Sequence, residues 1–137
     1  MEKEFIPYEQ ALELKELGFN EPCYCFYNGK FLQWKIDDSE GTEAIDINPN
    51  KNIGLYISAP LYQQAFRFFR EKYDLIGWVS SKTLDEGKTI YIPHGRTIPD
   101  TINKNLIVDI IPYVTLKTFE EAELECLKKL IEIVKEK

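Results

Sequence analysis

Apolar residues recur at helical spacing in some stretches of the chain and at strand-like spacing in others. In Ile6-Pro7-Tyr8-Glu9-Gln10-Ala11-Leu12-Glu13-Leu14-Lys15-Glu16-Leu17-Gly18, an early proline, Tyr8, Ala11 and Leu12 at helical spacing, and Gly18 where a left-handed C-terminal cap belongs predict a short first helix. Leu61, Ala65 and Phe68 beside Tyr62, Phe66, Phe69 and Tyr73 give a second helix a broad apolar surface, with Ser58 available as its cap and Pro60 in its first turn. Thr118-Phe119-Glu120-Glu121 is a capping box. Behind it Ala122, Cys126, Leu127, Leu130, Ile133 and Val134 form one stripe, with Glu125 and Lys129 paired on the wet side.

Two aromatic-rich runs, Cys23 to Tyr27 and Lys30 to Ile36, are joined by Asn28-Gly29, which predicts a type I′ hairpin. A loop formed by that dipeptide sets Tyr27 opposite Lys30, Phe26 opposite Phe31, Cys25 opposite Leu32 and Cys23 opposite Trp34. One face then holds Cys23, Cys25, Leu32, Trp34 and Ile36 and reads as core. The other holds Tyr24, Phe26 and Phe31, which is too apolar for a face left in water, so it belongs under another segment, a second subunit or a ligand. Further strands are expected over Ile53 to Ile57, Leu75 to Ser80, Thr89 to Pro93, Leu106 to Ile111 and Val114 to Leu116. Asp85-Glu86-Gly87 reads as a turn, and the aperiodic span His94 to Asn105 as a surface loop.

This pattern predicts an α+β fold: an N-terminal helix, an Asn-Gly hairpin, a central helix, a mainly antiparallel sheet and a C-terminal amphipathic helix packed on it. With 137 residues, 44% of them hydrophobic, the chain suits a single domain spanning 1–137. Its net charge of −6 disfavours general binding to nucleic acid, which needs a surplus of Lys and Arg. Met1-Glu2-Lys3-Glu4-Phe5 has no basic-then-apolar leader, and no stretch approaches the roughly 18 apolar residues of a membrane span, so a cytoplasmic protein, off the membrane, is expected. Cys23, Cys25 and Cys126 are an odd set and read as buried structural thiols rather than a disulfide framework or a zinc site.

Candidate chemistry is sparse. The acidic run Asp37 to Asp46 has Ile47 where a calcium loop needs Glu, so it reads as a solvated loop. His94 is the one histidine, and any Ser/His/Asp or Cys/His catalysis would pass through it. With Tyr91 and Arg96 it can hold an anion, or simply solvate the end of a strand. Arg67 and Arg70 lie with Gln63 on one side of the second helix and can clamp a phosphate or carboxylate, or pair with Glu71 and Asp74. No catalytic residue, metal ligand or cofactor is assigned.

Tyr62-Gln63-Gln64-Ala65-Phe66-Arg67-Phe68-Phe69-Arg70-Glu71-Lys72-Tyr73 and the run from Lys117 to Lys135, together with Leu14 to Cys23, resemble small uncharacterised proteins encoded by phages and prophages of gut Bacteroidota. The resemblance implies a lineage rather than an activity. It favours a non-catalytic binding protein, an accessory acting on a host component. A homo-oligomer sequestering a small, nucleotide-like anion is the alternative, and an enzyme of unknown class comes third. Arg67, Arg70, Tyr91, His94 and Arg96 are the candidate ligand residues, and Tyr24, Phe26 and Phe31 the candidate interface.

Overall fold

The structure, a computed structural model, describes residues 2–34, 56–97 and 109–136. They belong to two compact units, Met1–Ala65 and Phe66–Lys137, and the division falls within the central helix. The expectations for Asp37 to Asp46, for residues 53–55 of the strand Ile53 to Ile57 and for residues 98–105 of the span His94 to Asn105 lie outside the described residues.

In the first unit a short 3-10 turn, Glu2–Glu4, precedes helix α1, Tyr8–Glu16. α1 ends as its sequence predicts. Gly18 takes φ +94, its N–H bonds to Lys15 O at 3.0 Å, and Phe19 N bonds to Leu14 O at 2.9 Å, the paired bonds of a Schellman motif. Leu14 and Phe19, the two residues this motif draws together, are both buried.

Strands β1 (Cys25–Asn28), β2 (Phe31–Trp34) and β3 (Tyr56–Ala59) form an antiparallel sheet in the order β2-β1-β3. The expected hairpin is present, with a different register. Asn28 pairs with Phe31, Tyr27 with Leu32, Phe26 with Gln33 and Cys25 with Trp34, so the loop is Gly29-Lys30 and not Asn28-Gly29. Gly29 alone carries a positive φ, +62, which fits a type II′ turn with glycine at its first central position and leaves Asn28 on the strand. The partners change by two residues, an even shift, so the paired side chains of β1 and β2 keep their predicted faces.

On the covered face Cys25, Tyr27, Ile57 and Ala59 are buried, α1 packs against β3, and the Tyr27 hydroxyl donates to Ile6 O at 2.6 Å. Trp34, expected in the core, is 45% exposed on the outer strand and meets the edge of Phe5. On the opposite face Phe26 is half-buried against Tyr56, while Tyr24 is 50% and Phe31 77% exposed.

Helix α2 spans Tyr62–Tyr73. Ser58 does not cap it, because Ser58 lies within β3 and is buried. The Gln64 side chain fills that role by accepting from Leu61 N at 3.1 Å, the returning half of a capping box.

In the second unit, Asp74 at φ +55 turns the chain from α2 into β4 (Leu75–Thr83), which pairs along its whole length with β5 (Thr89–Thr97). The turn between them is the one predicted, with Gly87 N bonded to Leu84 O at 2.9 Å. Both strands run further than expected. In particular His94, Gly95 and Arg96 belong to β5 and not to a loop. Helix α3, Phe119–Lys135, packs across one face of this hairpin, as the sequence predicts for the last helix. Thr118 Oγ1 accepts from Glu121 N at 3.1 Å, and Ala122, Cys126, Leu127, Leu130 and Ile131 are buried. Ile133 and Val134, in the last turn, are half-buried, and Lys129 pairs with Glu132 rather than Glu125. A Cβ at Gly77 would lie 2.8 Å from Leu130 Cδ1 and 2.9 Å from Cys126 Sγ, so glycine there lets helix and strand approach.

Of the expected strands at Leu106 to Ile111 and Val114 to Leu116, residues 106–108 lie outside those described, and the described part, residues 109–116, pairs with β5 only through isolated bridges, Asp109 with Arg96 and Leu116 with Tyr91. Two prolines explain this. Tyr91 exchanges both backbone bonds with Leu116, so by alternation Pro93 would present its N–H to the same side, and it has none. Pro112 removes another donor from the facing segment. The ladder cannot run through, and the chain detours between Asp109 and Leu116.

No helix among the described residues is long and apolar enough to cross a membrane. Leu127 and Leu130 are fully buried at the centre of α3, so truncating either to Ala is expected to cost about 2–5 kcal/mol in urea unfolding, from lost burial and the cavity left behind. A loss under about 1 kcal/mol would place α3 outside the core.

Candidate functional site

The turn at residues 85–87 fixes the register of the β4–β5 hairpin and sets Trp78 directly opposite His94. Opposed residues share a face, so Trp78, Ser80, His94 and Arg96 stand together on one side of the hairpin. Gly77 and its partner Gly95 point to the other side, toward α3 and toward Ile111 respectively.

The indole of Trp78 and the imidazole of His94 stack, with centroids 5.0 Å apart and planes 13° from parallel. The Arg96 guanidinium lies 5.6 Å from the same indole centroid. His94 is held at both nitrogens: Nδ1 lies 2.9 Å from Asp109 Oδ2, and Nε2 lies 2.6 Å from Ser80 Oγ. An ionised carboxylate can only accept, which assigns the proton to Nδ1 and leaves Nε2 to accept from the Ser80 hydroxyl.

Asp109 is fixed in turn by the detour of the chain. Its Oδ1 accepts from Gly95 N and from Ile111 N, both at 3.2 Å. Partial burial acts to raise the Asp109 carboxyl, but the hydrogen bonds from His94, Gly95 and Ile111 outweigh it and hold the group below its ordinary value of 3.8. Beneath the stack, on the α3 side, the Cys126 thiol donates to His94 O at 3.3 Å, and burial pushes its pKa up to about 12. Such a thiol is a packing group and not a nucleophile.

Of the residues singled out from the sequence, His94 and Arg96 meet around Trp78. Tyr91 lies on the opposite face of β5, its ring edge-on to Phe119 at 6.0 Å. Arg67 and Arg70 are exposed on α2. Ser80, Asp109 and Trp78 complete the cluster and were not among the candidates. The register of the 85–87 turn, carried past Pro93, would have placed Trp78 and Ser80 beside His94; nothing comparable pointed to Asp109. Among the described residues no group of three or more His, Cys, Asp or Glu side chains is placed to hold a metal ion.

Because the folded-state pKa of Asp109 is depressed, its contribution to stability is complete above about pH 4 and is lost as pH falls through the lower folded value. Asp109→Asn is expected to be less stable than the parent at pH 7 and to show a shallower decline of stability below pH 4. Urea unfolding across a pH series checks this, and parallel acid limbs would mean that Asp109 is not the coupled group. No protein-family model, curated protein or solved structure matches this chain.

Proposed function

We propose that the protein works by binding, and that the Trp78–His94–Arg96 face of the β4–β5 hairpin takes an anionic group, a phosphate or carboxylate, of a small ligand. One observation carries this reading. Arg96 is half-buried against Trp78, its Nε is buried without a hydrogen-bond partner, and no carboxylate pairs with it among the described residues, in a protein of net charge −6. A cation in that position has desolvation to recover, and a ligand oxygen would supply a charge-assisted bond worth about 1.5–3 kcal/mol. Trp78, 38% exposed, adds apolar surface beside this cation. The wider reading that we propose with it, an accessory protein acting on a host component, rests on the sequence resemblance alone.

Calorimetric titration with pyrophosphate and with mono-, di- and cyclic nucleotides tests the proposal. Arg96→Gln is expected to weaken binding at least about tenfold, while Arg67→Gln with Arg70→Gln leaves it unchanged. Binding lost only in the α2 double variant would move the site to that helix. No binding to any of these anions would overturn the anion reading.

Self-association through Tyr24, Phe26 and Phe31 is the second reading, favoured by the 77% exposure of Phe31 on an aromatic face. Sedimentation is expected to show a dimer that Phe31→Lys converts to a folded monomer, and a monomeric parent at micromolar concentration would end the idea.

A further inference from the structure

We propose that Ser80 is a nucleophile activated by His94 and Asp109, able to accept an acyl group from a small ester with a good leaving group. The observation is the continuous chain of hydrogen bonds from the Asp109 carboxylate through His94 to the Ser80 hydroxyl, at 2.9 and 2.6 Å. Each member has the role that the chemistry requires. The base lies within hydrogen-bond reach of the nucleophile, and a third group fixes the tautomer and orientation of the base. That third group is itself held, since two backbone N–H groups on Oδ1 leave Oδ2 aimed at Nδ1. The indole of Trp78 against one face of the imidazole limits its rotation. Ser80 and His94 sit on paired strands, so their spacing is set by the sheet and not by a loop.

The step balances without any co-reactant but water. Ser80 Oγ attacks the ester carbonyl carbon as its proton passes to His94 Nε2, giving a tetrahedral species. The carbon–oxygen bond to the leaving group breaks, that oxygen takes the proton from Nε2, and the acyl group remains on Oγ. Water, deprotonated by the same nitrogen, then attacks the acyl carbon and returns the Ser80 hydroxyl and a free acid. Ser80 lies on an extended strand and not on the strand-to-helix elbow that aims backbone donors at a developing oxyanion. Activated esters, whose leaving groups need little help, are therefore the substrate class, and acylation is expected to outrun turnover.

The inference uses the same face as the binding proposal but not its anion. A fluorophosphonate probe tests it on the intact chain, because attack by Ser80 Oγ expels fluoride and leaves a stable phosphorus–oxygen adduct. A single adduct is expected at Ser80, read by peptide mass spectrometry, present in folded protein, absent in urea-denatured protein and absent in Ser80→Ala. Asp109→Asn is expected to slow its formation by about 100-fold or more, and p-nitrophenyl acetate to release a burst near one equivalent in the parent only. An adduct elsewhere, no adduct, or equal labelling of folded and denatured protein would overturn the inference, and that comparison needs no variant to fold. An adduct at Ser80 in parent protein that binds neither pyrophosphate nor any nucleotide would support this inference and end the anion reading alone. Anion binding without labelling would end this one alone.

Discussion

The carboxylate of Asp109 is the joint on which the second unit closes. Among the described residues, Pro93 and Pro112 interrupt backbone pairing on the outer side of β5, and the N–H of Gly95 meets no carbonyl there. A side chain takes its place. By accepting from Gly95, Ile111 and His94 together, Asp109 does the work of a ladder bond and fixes an imidazole with the same group. The local cost of the prolines is thus converted into a polar network, and that network is where chemistry becomes available.

The two faces of the hairpin have different tasks that meet at one backbone position. On the α3 side, Gly77 lets Cys126 and Leu130 approach, and the Cys126 thiol caps the carbonyl of His94. On the other side the His94 ring is stacked and hydrogen-bonded at both nitrogens. The core therefore positions the backbone of the residue whose side chain carries the site.

Local signals in the sequence are legible because their physics is local. The Thr118 cap, the Gly18 stop and the buried stripe through Ala122, Cys126, Leu127 and Leu130 depend on residues within a turn or two of one another. The hairpin near Gly29 shows where such reading slips: glycine satisfies either of two loop frames, and only cross-strand packing decides between Asn28-Gly29 and Gly29-Lys30, although both frames keep Tyr24, Phe26 and Phe31 on one face. His94 was legible as the one histidine, but its surroundings were not. Pro93 looks like the end of a strand in sequence, yet its missing N–H faces away from β4 and interrupts nothing there. Asp109 comes from a segment whose pairing that same proline breaks, so no periodicity announced it.

The placement of the tryptophans has an optical consequence. The chain has two, Trp34 in the unit Met1–Ala65 and Trp78 in the unit Phe66–Lys137. Trp34 meets a phenylalanine edge, whereas Trp78 lies flat against an imidazole, a group whose protonated form quenches indole emission on contact. Each half of the molecule therefore carries its own intrinsic fluorophore in a distinct environment.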